Sequence, residues 1–212
     1  GMNSRVSAIR DWLIANTDRS ARVLLEDQSP VYDIYGHTFP TASLAYYTQR
    51  ELIGGPHWAT YYKNHFADMS GYTLFGRFIL QWDEKSLAKY MNYYNIGWVG
   101  VYTPVTRKLF DQYPDLFQPI GTASGFQFYK VNRRHSFFIE GSGIAEADYN
   151  RIVLRNVQAP SGRVVIGYHW HPRLSVKPPA KIIRVMIGRD PVGFVGIENP
   201  QPEMVIETKY WW

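Results

Sequence analysis

The chain has 212 residues, 23 Lys and Arg against 18 Asp and Glu, and a net charge of +5. That length suffices for one large domain or two small ones. With no Cys at all, a disulfide scaffold, a thiolate zinc site and a Cys nucleophile are excluded. The basic residues are scattered, with no run longer than Arg133-Arg134, so the cluster or stripe of a nucleic-acid footprint is missing and no nucleic-acid partner is expected.

In chain order, residues 5–16 place Val6, Ile9, Leu13 and Ile14 at helical spacing, with Arg10 and Asp11 opposite. Arg22 to Glu26 reads as a short buried strand. A second helix is expected from Pro40 to Arg50, ended by Gly54-Gly55-Pro56 or followed by a short strand. Residues 56–82 are aromatic, polar and punctuated by glycine, and read as a long ordered loop with short helical pieces. Asp83 N-caps the next helix, whose apolar face is Leu87, Tyr90, Met91 and Tyr94. Trp98 to Tyr102 is a strand, and Pro104 opens a helix to about Tyr113. Gln118 to Gly121 and Phe126 to Val131 read as paired strands around Ser124-Gly125.

After Asn132 the pattern changes to short apolar or alternating runs. These are Phe137–Glu140, Arg151–Asn156, Arg163–Trp170, Ile182–Ile187, Gly193–Ile197 and Met204–Lys209. Several short strands at this spacing predict an antiparallel β-sandwich. The expected fold is therefore mixed α+β: an α/β domain over residues 3–132, then a sandwich over residues 133–212. In the first domain, one sheet is predicted to hold Val23–Glu26, Trp98–Tyr102 and Phe126–Val131.

Three sets of residues invite a chemical reading. His57, Trp58, Tyr61, His65 and Arg77 fall in the long loop. An aromatic there can stack on a sugar face, and Arg77 can meet a phosphate or carboxylate. The plainer reading is that these residues satisfy loop backbone groups. His169-Trp170-His171 puts two imidazoles at i and i+2, the same side of a strand, where both could ligate one metal. A metal needs a third ligand, and Arg173, Leu174 and Ser175 supply none. The alternative is a strand whose polar face meets solvent or the other domain, with Trp170 in the sandwich core. Glu140, Glu146 and Asp148 could form a glycosidase pair at suitable separation, but acidic residues beside Gly141-Ser142-Gly143 more often cap a turn. No cofactor is expected.

The runs Arg22 to Glu26, Leu52 to Pro56, Phe75-Gly76-Arg77, Tyr94 to Val99, Phe137 to Gly143 and Tyr168 to Pro172 together carry a resemblance. The chain resembles the soluble extracytoplasmic portion of large bacterial multi-spanning membrane proteins related to polyprenyl-phosphate-sugar glycosyltransferases. Some of these carry the label 6-pyruvoyl-tetrahydropterin synthase-related membrane protein. A pterin synthase needs a three-His zinc site, which these spacings do not offer. The resemblance implies a catalytic carboxylate on a loop between membrane helices that is not in this chain. It also implies an extracytoplasmic location at the bacterial inner membrane, with membrane attachment through parts of the parent absent here. Gly1-Met2 reads as a tag remnant, in keeping with an excised domain. The expected role is non-catalytic: binding a carbohydrate, a lipid-linked sugar or a partner, with no glycosyltransferase or glycosidase turnover. The rivals are a free-standing carbohydrate-binding module, a metal-dependent or glycosidic enzyme, and a structural spacer.

Overall fold

The computed structural model describes residues 3–27, 40–54, 66–148 and 150–208. The fold is mixed α+β with several antiparallel sheets. Two compact units divide the described chain, the first up to His135 and the second from Ser136.

The first unit contains α1 (Ser4–Asn16), β1 (Arg22–Leu25), α2 (Pro40–Thr48), β2 (Leu52–Ile53), the hairpin β3 (Thr73–Leu74) and β4 (Arg77–Phe78), α3 (Glu84–Tyr93), β5 (Ile96–Val101), α4 (Pro104–Asp111), β6 (Phe117–Ala123) and β7 (Phe126–Val131). One five-stranded sheet runs in the order β2-β1-β5-β7-β6. It holds the three segments predicted to share a sheet. The pairs β1–β2 and β1–β5 are parallel, while β5–β7 and β6–β7 are antiparallel.

The helices follow local signals. Asn3 caps α1 by accepting the Val6 N–H at 2.9 Å, and Asp83 caps α3 by accepting the Ser86 N–H at 2.8 Å. Val6, Ile9 and Leu13 of α1 join Leu44 of α2, Val23, Leu25, Trp98, Phe126 and Phe128 in one apolar cluster. Ile14 does not share that face. It is 48% exposed, because one residue along a helix turns the side chain by about 100°. On the opposite side of the sheet, Phe110 of α4 meets Phe117 edge-on at 4.7 Å and Tyr129 at 5.8 Å. Gly97 and Gly100 admit close neighbours, since a Cβ at Gly97 would come within 2.7 Å of Ala21 Cβ.

The second unit has β8 (Phe138–Glu140), β9 (Ser142–Ala147), β10 (Arg151–Gln158), β11 (Arg163–His169), β12 (Leu174–Lys177), β13 (Lys181–Val185), β14 (Phe194–Glu198) and β15 (Met204–Thr208). These make two four-stranded antiparallel sheets, β12-β15-β10-β9 and β13-β14-β11-β8. Ile152, Leu154, Met204 and Ile206 of one sheet and Val164, Ile166, Tyr168, Val195 and Ile197 of the other belong to a single buried cluster. Ile152 and Leu154 of β10 and Val164, Ile166 and Tyr168 of β11 reach it from alternate positions, one face per strand. Two strands have no counterpart among the predicted runs: β12, and β9, which begins at Ser142 inside the stretch read as a turn.

Candidate functional site

In an open sheet with parallel strands, ligands favour the carboxyl edge where strand order reverses. Here the chain passes from β1 outward to β2, then back past β1 to β5, so the switch point lies between β1 and β5. Glu26 sits there, fully buried. Its Oε2 accepts the N–H of Tyr102 at 2.6 Å and of Thr103 at 2.9 Å. Its Oε1 accepts the Thr106 hydroxyl at 2.9 Å and the Thr103 hydroxyl. Tyr102 and Thr103 lead into the first turn of α4, whose amino end is a ready anion site. The protein's own carboxylate occupies that site. An external phosphate would meet a negative charge there whose lone pairs are already engaged.

The segment after the switch point is different. Met69 pairs with Glu26 in a parallel bridge, and its carbonyl accepts the Asp27 N–H at 2.9 Å. Part of the stretch that reads as an irregular loop is in fact the hairpin β3–β4, in the register Thr73↔Phe78 and Leu74↔Arg77. Its two turn residues, Phe75 and Gly76, have φ of +50° and +70°. Two positive φ values make a primed turn, whose twist suits a hairpin. Gly76 adopts this freely. Phe75 does so against its steric preference, and its burial supplies the compensation. Its ring stacks on Tyr94 at 5.2 Å and 9°, and meets Trp82 at 5.7 Å and Tyr90 at 5.0 Å. Trp82 is tied to the hairpin by its Nε1–H, which donates to Leu74 O at 2.9 Å.

The tip is thus anchored inward while the flanks face water. Tyr72 is 38% exposed, Phe78 45% and Leu80 40%. Tyr72 is itself left-handed, at φ +59°. Left-handed aromatic residues are strained, and such strain concentrates at ligand and switch sites. Arg77 stands opposite Leu74 in the ladder, on the other face of β4 from Phe78, with its guanidinium 4.4 Å from the Trp82 ring centroid. That cation–π contact fixes the planar fork without consuming its N–H donors. The arrangement offers apolar faces for stacking and a charged donor set for an anion.

Of the other residues singled out in the sequence, His57, Trp58, Tyr61 and His65 lie outside the described residues. His169 and His171 have different hydrogen-bond partners. Strand β11 ends at His169, after a register shift that begins at Ile166, so the i, i+2 rule does not reach His171. His169 is buried rather than solvent-facing, and its Nε2 lies 2.6 Å from Asp190 Oδ2. Asp190 Oδ1 accepts the N–H groups of Val192 and Gly193 at 2.8 and 2.9 Å. His171 Nδ1 accepts the Arg173 N–H at 3.1 Å. Trp170 packs partly buried against the second unit's core. The pair His169–Asp190 is a staple that holds the turn between β13 and β14.

The three carboxylates each face an arginine. Glu140 meets Arg163 at 2.6 Å, Glu146 meets Arg155 at 2.9 Å and Asp148 meets Arg151 at 3.2 Å. They serve as cross-strand and turn ion pairs on the surface. Among the described residues, no group of three or more His, Asp or Glu is placed to hold a metal, and no helix is long and apolar enough to cross a membrane. Sequence reasoning missed Tyr72, Phe78 and Leu80. The signal was a run of aromatic and glycine residues, which reads equally as loop.

No protein family, curated protein or solved structure matches this chain.

Proposed function

We propose that this chain is the non-catalytic extracytoplasmic part of a glycosyltransferase-like membrane protein, assisting the binding of a carbohydrate or lipid-linked sugar. In this reading an α/β domain carries the ligand face, and a β-sandwich follows it. The observation that supports it is the hairpin of residues 72–80. The exposed aromatic groups of Tyr72 and Phe78 suit the apolar face of a sugar ring, and Arg77, held over Trp82, suits a phosphate or carboxylate. The engaged state of Glu26 supports the same reading, because it turns the helix-terminus site inward.

A carbohydrate-binding module would favour an exposed aromatic platform on the second unit. Among the described residues, the large exposed apolar side chains of that unit are Ile144 and Met186, both aliphatic. A glycosidase would need two carboxylates facing each other, whereas Glu140, Glu146 and Asp148 each face an arginine.

The test is titration of a panel of neutral glycans, sugar phosphates and polyprenyl-phosphate sugars. Phe78→Ala is expected to weaken every ligand by roughly 1–2 kcal/mol, on the scale of partly burying an aromatic side chain. Arg77→Ala is expected to weaken the anionic ligands alone. Absence of binding at millimolar ligand, or binding untouched by both changes, overturns the reading.

A further inference from the structure

A sheet edge is a row of backbone donors and acceptors with no neighbouring strand, and proteins blunt such edges with proline, lysine, bulges or very short strands. The edges among the described residues follow that rule, with one exception. In the first unit, β2 is two residues long, and β6 carries Pro119 and a register shift between Pro119 and Gly121. In the second unit, β8 is three residues long, β12 ends at Lys177 before Pro178-Pro179, and β13 bears Lys181 and Arg184. The exception is β9. It stands at the end of its sheet with β10 as its neighbour, and its six residues read Ser-Gly-Ile-Ala-Glu-Ala. It has neither a proline nor a cation.

The two faces of β9 differ. Ser142, Ile144 and Glu146 face water, and Ile144 is 48% exposed near the middle of the strand. Gly143, Ala145 and Ala147 alternate with them on the inner side, where both alanines pack at the margin of the second unit's core. Residues this small leave room for another strand to extend the sheet and cover that margin. Glu146 is the strand's one charge, and Arg155 of β10 already holds it at 2.9 Å.

We propose that β9 pairs antiparallel with β9 of a second copy of this chain, centred on Ile144. The strand is self-complementary in that register. A two-fold axis at Ile144 sets the two isoleucines side by side, Ser142 opposite Glu146, and Gly143 opposite Ala145. The exposed isoleucine is covered, the serine hydroxyl gains a carboxylate acceptor, and no like charges meet. Centring on Ala145 instead would set each Ile144 against a Glu146. Pairing Ile144 with Ala145 would bring the outer face of one copy beside the inner face of the other. A single six-residue pairing buries less than the roughly 1,200 Å² of a stable interface, so the dimer is weak and forms with rising concentration.

The experiment is sedimentation equilibrium of the whole chain from about 10 μM to about 1 mM, the span of weak interfaces, with amide NMR spectra over the same span. A monomer–dimer equilibrium is expected, with the amides of residues 142–147 shifting as the concentration rises. Ile144→Lys, at an exposed position, sets two ammonium groups against each other and is expected to abolish the dimer. Ser142→Lys faces Glu146 of the second copy and is expected to tighten the dimer about tenfold, since two opposite-charge pairs are gained; Ser142→Glu is expected to weaken it by a similar factor. The melting temperature of each dilute variant checks that the fold is kept. A chain that stays monomeric at the highest concentration, a dimer that survives Ile144→Lys, or one indifferent to the sign of charge at position 142 overturns the proposal.

Discussion

The carboxylate of Glu26 accepts the backbone N–H of Thr103 at 2.9 Å, across 77 residues of chain. This bond joins the end of β1 to the start of α4 at the point where the sheet reverses its order. Thr103 stands at the cap position of α4, yet its hydroxyl donates to Glu26 instead of capping its own helix. The glutamate therefore caps α4 from the neighbouring strand.

Removing that cap takes the shared acceptor from four donors, although the Thr103 hydroxyl keeps Thr106 Oγ1 within 2.9 Å. Glu26→Ala is expected to destabilise the first unit by about 3–5 kcal/mol, the cost of breaking a buried charged network. Thr106→Ala removes one donor and is expected to cost about 1 kcal/mol. Urea unfolding of the two variants checks both the direction and the ranking.

The hairpin tip gives a second expectation. A Cβ at Gly76 would lie 2.9 Å from Phe66 Cε2, at a backbone φ of +70°. Gly76→Ala is expected to cost about 1–3 kcal/mol through strain at that turn, and to lower any ligand affinity with it. Phe75→Ala relieves no backbone strain and empties the aromatic box, so it is expected to cost about 3–5 kcal/mol. Thermal unfolding of both variants separates the two effects.

Much of this fold is legible in the sequence. The period of Leu87, Tyr90 and Met91 behind Asp83 gives α3, and all three residues are buried. Alternation gives β10, and a continuous apolar run gives β11. What local patterns cannot carry is long-range pairing. Nothing near Glu26 announces Thr103 as its partner. The hairpin is hidden because its strands are two residues long and its turn uses Phe-Gly, where Asn-Gly is the common signal. The His169-Trp170-His171 motif misleads because strand periodicity ends at His169.

The staple at His169 has its own test. Asp190→Ala removes the acceptor of one imidazole and two backbone amides, and is expected to destabilise the second unit by about 3 kcal/mol. Zinc and EDTA are each expected to leave its melting temperature unchanged. A zinc-dependent rise that His169→Ala abolishes would restore the metal reading.

Alkaline pH reports on Tyr129. Its hydroxyl donates to Asp111 Oδ1 at 2.5 Å. Burial, then the hydrogen bond to Asp111 and its charge, push the phenol well above its ordinary range. Because the folded value is raised, its contribution to stability is full below the unfolded value of about 10 and is lost as pH rises beyond it. Tyr129→Phe is expected to flatten the loss of stability above pH ~10. Urea midpoints measured across that range decide it.

The most direct test of the ligand face is NMR shift mapping with the tightest ligand of the titrated panel. The expected result is perturbation of the amides of Tyr72, Arg77 and Phe78, with the Trp82 indole N–H moving alongside. Shifts confined to the sheets of the second unit, or none at saturating ligand, would contradict the account.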